Sequence, residues 1–140
     1  MTLEDKLLVL KDLCMRIPYG VFIKSFSGDD YGPVIDICYP QGVVAYMGQK
    51  QDAYSDDFLA YLRSTYSLSK EELVEARRLG IHFVDSDKGP IFDGFGNIGA
   101  EAQLEALEWL LKNHIDFNGL IPKGLAIEAP EEIYKRNDNI

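Results

Sequence analysis

The 140-residue sequence predicts one α+β domain, in which an antiparallel sheet of about five strands packs against helices that lie mainly on one face. Short runs rich in Val, Ile, Phe and Tyr, separated by turn-forming residues, predict the strands. Three longer segments repeat apolar residues at helical spacing and predict the helices. We expect this single domain to span residues 1–140, with a polar tail that frays from about residue 135.

The first helix is predicted from about Leu3 to Met15. Thr2 and Asp5 have the spacing of a capping box at its start, with Asp in place of the usual Glu. Pro18 cannot continue a helix, so we expect the helix to end before it. The apolar stripe of this helix consists of Leu3, Leu7, Leu10 and Cys14, and Leu8 and Leu13 widen it.

Three strands are predicted at about residues 20–26, 33–39 and 42–47, and their short, turn-rich separators favour antiparallel pairing. Both faces of the first strand are partly apolar, so we expect one face to meet helices. Residues 56–63 have a less regular pattern, and we interpret them as one or two helical turns.

The second half of the chain begins with a clear capping box. Ser69 and Glu72 predict a helix over residues 70–79 that stops at Gly80. The runs "IHFVD" and "PIFDGF" then predict a second hairpin across "DSDKG". The longest helix is expected over residues 100–114, where an apolar stripe has helical spacing. The segment after it is apolar but irregular, and we expect it to be ordered and wrapped onto the core.

The net charge is −9, and it is unevenly distributed. Residues 1–70 carry nine Asp/Glu against seven Lys/Arg, and residues 71–140 carry fourteen against seven. Direct nucleic-acid binding is not expected, because phosphate contacts need Lys and Arg. A solvated acidic face that keeps the protein soluble is the simplest interpretation, and a basic protein partner is the alternative. One such solvated helix face is predicted from Glu101, Glu105, Glu108 and Lys112.

The cysteines and the first residues indicate the cellular compartment. Cys14 and Cys38 do not form C-x-x-C, and we interpret both as buried thiols. The start "MTLEDKLLVLKDLC" does not have the pattern of a signal peptide. No stretch approaches the roughly 20 apolar residues that a membrane helix needs. We therefore expect a cytoplasmic protein without membrane association.

Residues 94–99 read "GFGNIG", a literal G-x-G-x-x-G. In dinucleotide-binding folds such glycines bring backbone N–H groups to a pyrophosphate. Here Asp93 and Glu101 flank the motif and would repel a phosphate, and too little chain follows for the second half of that fold. We interpret the first two glycines as turn residues and the third as a small residue at a helix start. The sequence thus predicts no nucleotide cofactor.

No other motif assigns a catalytic or metal-binding residue. Asp85 and Asp87 resemble an incomplete calcium loop, which we interpret as a tight turn. His82 and His114 have no partner at metal spacing, although either could meet a cysteine in the fold. An aromatic and basic group is open to two interpretations, packing under a loop or a binding hot spot. It consists of Tyr54, Tyr61, Arg63 and Tyr66.

Three stretches of the chain have a recognisable pattern: "KDLCMRIPYGV", "YLRSTYSLSKEEL" and "EALEWLLKNHIDFNGLIPKGLAIEAPEEIY", of which the last is the most specific. In these stretches the chain resembles a family of small uncharacterised hypothetical proteins of gut bacteria, often found in phage-like or mobile elements. The resemblance extends over most of the chain and implies a single cytoplasmic α+β domain, but no activity, substrate or cofactor. The family's "YLRP" is "YLRS" here, with Ser64 in place of proline.

Three classes of function remain. The leading hypothesis is a non-enzymatic protein-binding or accessory protein of a mobile element. The second is an inhibitor or immunity-type acidic protein, which requires the six acidic residues of residues 85–108 to form one patch. The third is a small enzyme whose residues meet only in the fold, which requires a pocket that holds a histidine beside a cysteine or carboxylate. Catalytic residues, partner identity and oligomeric state are left open.

Overall fold

The α+β class is confirmed by a computed structural model, which describes residues 1–48 and 50–134. The chain divides into two compact units. The first unit is Met1–Leu62 together with the chain from Leu120 onward, and the second is Arg63–Gly119. The tail that we expect to fray from about residue 135 lies outside the described residues.

Three helices and eight strands form within the described residues. In chain order they are α1 (Leu3–Arg16), β1 (Phe22–Ser25), β2 (Tyr31–Cys38), β3 (Gly42–Met47), β4 (Lys50–Tyr54), β5 (Phe58–Leu62), α2 (Lys70–Arg78), β6 (Ile81–Ser86), β7 (Gly89–Phe95), α3 (Ala100–Lys112) and β8 (Ala126–Glu128).

The first unit contains a six-stranded sheet with the order β4-β3-β2-β1-β5-β8. Neighbouring strands are antiparallel except for β5 and β8, which are parallel. The antiparallel pairing predicted for the first three strands is confirmed. One face of the sheet packs against α1, and the apolar core lies between them. Its main members are Val9, Leu10, Leu13, Ile23, Val34, Val43, Ala45, Phe58, Ala60 and Leu62.

A buried ion pair lies within α1. Arg16 Nε donates to Asp12 Oδ2 at 2.7 Å, and Arg16 Nη2 lies 3.2 Å from Asp12 Oδ1. Both side chains are fully buried. At the other end of the helix the Thr2 hydroxyl accepts from the Asp5 N–H, so the predicted N-cap is confirmed.

The C-terminal segment of the first unit is attached to the sheet by Tyr134. The Tyr134 hydroxyl accepts from the Phe22 N–H at 2.6 Å and donates to the Tyr61 carbonyl at 2.9 Å. Because Ile23 pairs with Ala60, Phe22 and Tyr61 are the next pair of the β1–β5 ladder. One side-chain hydroxyl therefore joins two strands where a direct backbone hydrogen bond would otherwise form.

The second unit combines α2, the β6–β7 hairpin and α3. The predicted capping box is confirmed, since Ser69 Oγ accepts from the Glu72 N–H and the Glu72 side chain accepts from the Ser69 N–H. The predicted hairpin is also confirmed, and it forms a separate two-stranded sheet. The core of this unit consists of Leu68, Ala76, Ile81, Ala106, Leu110 and Ile115.

Arg63 connects three segments of the second unit. Its guanidinium binds the Glu72 carboxylate through Nη1 at 2.9 Å and Nη2 at 2.8 Å. Nη1 also donates to the Asn113 carbonyl. The Arg63 backbone N–H donates to the His114 carbonyl, and its own carbonyl accepts from the Asp116 N–H, both at 2.8 Å.

Three strands and one helix end differ from the sequence predictions. The interpretation of residues 56–63 as helical turns is wrong, because β5 is an inner strand whose buried residues form a continuous apolar run. Strand β4 was not predicted, and β8 lies in the segment expected to be irregular. Helix α3 ends at Lys112, and His114 has a positive φ of 59°, which is incompatible with helix continuation.

The prediction that both thiols are buried is wrong, since Cys14 and Cys38 are exposed free cysteines. The buried residues of α1 are Val9, Leu10, Asp12, Leu13 and Arg16. Leu10 and Leu13 of the predicted stripe therefore lie in the core, whereas Leu3 and Cys14 are exposed. Cys38 is the last residue of β2, where the strand leaves the core.

We expect Tyr134→Phe to lower the free energy of unfolding by about 1–3 kcal/mol, because the Phe22 N–H and the Tyr61 carbonyl would both lose their partner. Urea unfolding followed by far-UV circular dichroism measures the loss, and faster amide exchange at Phe22 locates it. Tyr39→Phe, at an exposed tyrosine, is the matched control and is expected to change neither quantity.

Tyr134→Phe should also reduce the decrease in the free energy of unfolding at alkaline pH. Burial is the largest effect on Tyr134 and raises the pKa of its hydroxyl above the usual range. Because the neutral hydroxyl is favoured in the folded state, its contribution is complete below about pH 10 and is lost as the pH rises further. Equal pH dependence of the wild type and the Phe variant between about pH 9 and pH 11 would contradict this account.

Arg63→Gln is expected to destabilise the second unit by about 3 kcal/mol, because it leaves a largely buried Glu72 carboxylate without its cation. Trp109 is the single tryptophan and contacts the core of this unit, so its fluorescence during urea unfolding measures the effect. Arg78→Gln breaks the exposed Arg78–Glu75 pair and should leave the midpoint almost unchanged. Similar losses in the two variants would contradict the structural role of Arg63.

Candidate functional site

The face of the six-stranded sheet opposite α1 carries a row of large side chains. The registers pair Tyr46 with Gln51, Phe22 with Pro33, and Tyr61 with Ile127. The neighbouring pairs Val34–Ala45 and Ile23–Ala60 place Pro33 beside Tyr46 and Phe22 beside Tyr61. Directly paired residues point to the same face of a sheet. We call this set the aromatic row: Tyr46, Pro33, Phe22, Tyr61 and Ile127.

Aromatic contacts hold one end of the row together. Tyr31 packs against Tyr61 with ring centroids 6.1 Å apart and planes at 80°. Tyr31 also lies 6.3 Å from Phe22, and the Tyr134 ring meets Phe22 edge-on at 5.6 Å. Edge-to-face packing is the favoured geometry for such rings. The four rings therefore form one connected cluster.

The same face exposes apolar side chains to solvent. Ile35 is 44% exposed and Tyr46 is 42% exposed, and Tyr31, next to the row, is 46% exposed. Contiguous exposed apolar residues on one face are typical of protein interaction sites, whereas scattered single residues carry no such meaning. The sequence signal for this face was the second apolar side of the first predicted strand. We did not predict Tyr31, Ile35 or Tyr46 as site residues.

The four residues of the predicted aromatic and basic group have different roles. Tyr61 belongs to the aromatic row, and Tyr54 is half-buried against the core of the first unit. Burial, followed by the nearby carboxylates of Asp52, Asp30 and Asp57, raises the pKa of the Tyr54 hydroxyl. In the second unit Arg63 forms the ion pair with Glu72, and Tyr66 is exposed. Packing accounts for Tyr54 and ion pairing for Arg63, whereas Tyr61 packs within the aromatic row.

Two backbone N–H groups of the glycine motif already have carbonyl partners. Gly94 lies within β7 with φ of 94°, so the interpretation of this residue as a simple turn residue is wrong. The Gly96 N–H donates to the Gly80 carbonyl at 2.7 Å, and the Ile98 N–H donates to the Gly96 carbonyl. Gly99 is the N-cap of α3, which agrees with its interpretation as a small residue at the start of a helix.

Gly96 lies close to the His82 ring. A Cβ at Gly96 would lie 2.9 Å from His82 Nε2, closer than such atoms approach. The His82 ring also lines an open cleft of about 450 Å³ in the second unit. The other lining residues are Arg77, Ile81, Phe83 and Asp93. The cleft thus brings a histidine and a carboxylate to one surface.

The other predicted polar features lie on the surface of the second unit. Lys112 Nζ lies 3.4 Å from Glu108 Oε1, and both side chains are about half exposed, as predicted for a solvated stripe. Asp85 and Asp87 are exposed at the hairpin turn. No group of three or more His, Cys, Asp or Glu that could hold a metal ion occurs in residues 1–48 and 50–134. His114 is half-buried, and its backbone pairs with Arg63.

Comparison of the chain with protein-family models, with curated proteins and with solved structures gives no match. Its function is therefore argued from geometry. Among the described helices, none has the length and apolar character needed to cross a bilayer.

We expect millimolar NAD or ATP to leave the melting temperature unchanged, because Asp93 and Glu101 flank the glycine motif and would repel a phosphate, and the Gly96 N–H already donates to the Gly80 carbonyl. Thermal unfolding over a ligand titration measures this. A rise that grows with ligand concentration would contradict it, because a ligand that binds the folded state stabilises that state.

Proposed function

We propose that this chain is a non-enzymatic protein-binding module, acting as an accessory protein of a mobile element in the cytoplasm. The exposed apolar face around the aromatic row is the observation that carries the proposal. The family resemblance supports the link to mobile elements, and the two exposed free cysteines suit a reducing compartment.

The composition of the face favours a macromolecular partner over a small ligand. Its side chains lie on adjacent strands of a sheet and form a broad surface. Tyrosine supplies a rigid, amphipathic contact at low entropic cost and is enriched at binding hot spots. The net charge of −9 favours a basic partner surface and disfavours direct binding of nucleic acid. The partner that fits is a protein with basic residues around an apolar contact.

A second candidate function is a small enzyme that uses the cleft of the second unit. His82 and Asp93 line it together with Arg77, so a general base, a carboxylate and an anion-binding group share one surface. The protein-binding function is preferred because all three polar side chains are exposed, whereas catalytic groups are usually held in water-excluding sites. No comparable feature of the described surface favours the hypothesis of an inhibitor that mimics nucleic acid.

The test compares two double variants of matched character. Ile35→Ser with Tyr46→Ser removes two exposed apolar side chains from the proposed face. Val74→Ser with Leu104→Ser removes two from the second unit, at 66% and 67% exposure. Proteins captured from a bacterial host by wild-type protein are purified, and their affinities for all three forms are measured by calorimetry.

We expect the face variant to bind a purified partner at least about tenfold more weakly, equivalent to roughly 1.4 kcal/mol, while the control binds like the wild type. Circular dichroism verifies that both variants are folded. Unchanged binding by the face variant, or an equal loss in the control, would refute the assignment of this face.

A further inference from the structure

Strand β6 forms an open edge of the two-stranded sheet in the second unit. Within the described residues, β7 is its only neighbouring strand. The other edge of this hairpin, along β7, is occupied, because the Thr65 hydroxyl donates to the Pro90 carbonyl. An open strand edge offers a row of N–H and C=O groups to a further strand.

The register shows which backbone groups of β6 point to the open edge. The Pro90 carbonyl points away from β6, so Asp85 and Pro90 form a non-hydrogen-bonded pair. Such pairs alternate with hydrogen-bonded pairs along an antiparallel ladder, so the pair at Phe83 is also non-hydrogen-bonded. The N–H and C=O groups of Phe83 and Asp85 therefore point away from β7. In the described part of the chain, no backbone hydrogen bond outside the hairpin involves either residue.

Two exposed aliphatic side chains lie on the outer face of the same hairpin. Val84 pairs with Ile91 across the two strands, and the residues are 50% and 44% exposed. Phe83 and Phe92, one position further along, point to the opposite face and pack against the core of the unit. A strand added beside β6 would cover Val84 and would also pair the open backbone groups.

The charges at this edge restrict which strand can be added. Asp85 is exposed and points to the same face as Phe83, and a carboxylate that points inward at a strand edge opposes the addition of an unrelated strand. Arg77, in the last turn of α2, lines the open cleft of this unit together with Phe83. Neither Arg77 nor Asp85 forms an ion pair within the described residues. The strand that fits supplies a cation near Asp85 and a carboxylate opposite Phe83.

We propose that β6 pairs antiparallel with β6 of a second copy of this chain, about a two-fold axis at Val84. In this register Phe83 lies opposite Asp85 of the second copy, and each of the two equivalent pairs exchanges both of its N–H···O bonds. Val84 lies directly against Val84 of the second copy, where side chains approach closely. The two hairpins then form one four-stranded sheet.

The two-fold arrangement also brings opposite charges together. Asp85 is on the same face as Phe83 of the second copy, at the cleft that this phenylalanine lines with Arg77. Each chain thus presents its carboxylate to the arginine of the other, and no like charges lie opposite each other along residues 82–86. A shift of the register in one direction would set Asp85 against Asp85, which is destabilising. A shift in the other direction would set it against the buried Ile81.

Sedimentation velocity of the full chain from about 5 μM to about 1 mM measures the association. We expect a monomer–dimer equilibrium with a dissociation constant in the micromolar range, since an interface built on one strand pair is small. Amide exchange followed by NMR locates the contact. The Phe83 and Asp85 N–H groups should be protected only at high concentration, whereas the Val84 N–H, bonded within the hairpin, is protected throughout. A chain that is monomeric at the highest concentration, or amide protection independent of concentration, overturns the inference.

A charged substitution at the two-fold axis tests the register. Val84→Lys sets like charges against each other and should weaken the dimer at least about tenfold. Leu104→Lys makes the same charge change at a residue of α3 that is 67% exposed, and it should leave the dissociation constant unchanged. Circular dichroism verifies that both variants are folded. Equal weakening in the two variants, or a dimer that persists in Val84→Lys, shows that the contact is not at β6.

Charge reversal tests the choice of a second copy. Arg77→Glu sets a carboxylate beside Asp85 of the other chain, and Asp85→Arg sets a cation beside its Arg77. Each single variant should therefore dimerise at least about fivefold more weakly. The double variant again has opposite charges across the interface and should recover most of the affinity. Additive losses in the double variant would contradict the reciprocal ion pairs and the register that requires them.

The dimer does not depend on the binding face proposed above, because β6 belongs to the second unit and Ile35 and Tyr46 belong to the first. The exchange experiment also separates a second copy from another occupant. If the chain alone is monomeric and the Phe83 and Asp85 amides become protected only when a different protein is added, the edge binds that protein and the second-copy inference is wrong.

Discussion

The hydrogen bonds of the Tyr134 hydroxyl are the interaction on which the first unit and its proposed binding face depend. This group completes the β1–β5 ladder between Phe22 and Tyr61, and it attaches the C-terminal segment to two strands of the sheet. Its ring packs edge-on against Phe22 in the aromatic row. Tyr134 thus forms hydrogen bonds with backbone groups of two strands and also packs against the aromatic side chains of the sheet face.

Arg63 has the corresponding role in the second unit. Its side chain neutralises Glu72, which also caps α2, while its backbone pairs with the turn after α3. These contacts join the "YLR" arginine, the cap of α2 and the turn after α3 within the second unit.

The glycine motif and the aromatic row both differ from what the sequence predicted. The first two glycines of the literal glycine motif were interpreted as turn residues, yet Gly94 lies in a strand and Gly96 permits the close approach of His82. The aromatic row was missed because its members come from five strands that are distant in sequence. Only Tyr61 was among the residues singled out. An apolar second face on the first predicted strand was the available signal, and the expectation drawn from it was only that one of the two faces meets helices, as one face does with α1.

By itself the sequence determined the α+β class, the ends of α1 and α2, and the β6–β7 hairpin, because caps, helical periodicity and tight turns depend on neighbouring residues. Only the tertiary structure decided that residues 58–62 form an inner strand, that β4 and β8 complete the sheet, and which side of α1 is buried. Strand pairing joins residues far apart in the chain, so its outcome depends on the free energy of packing the whole unit. The binding face proposed here is a product of that pairing.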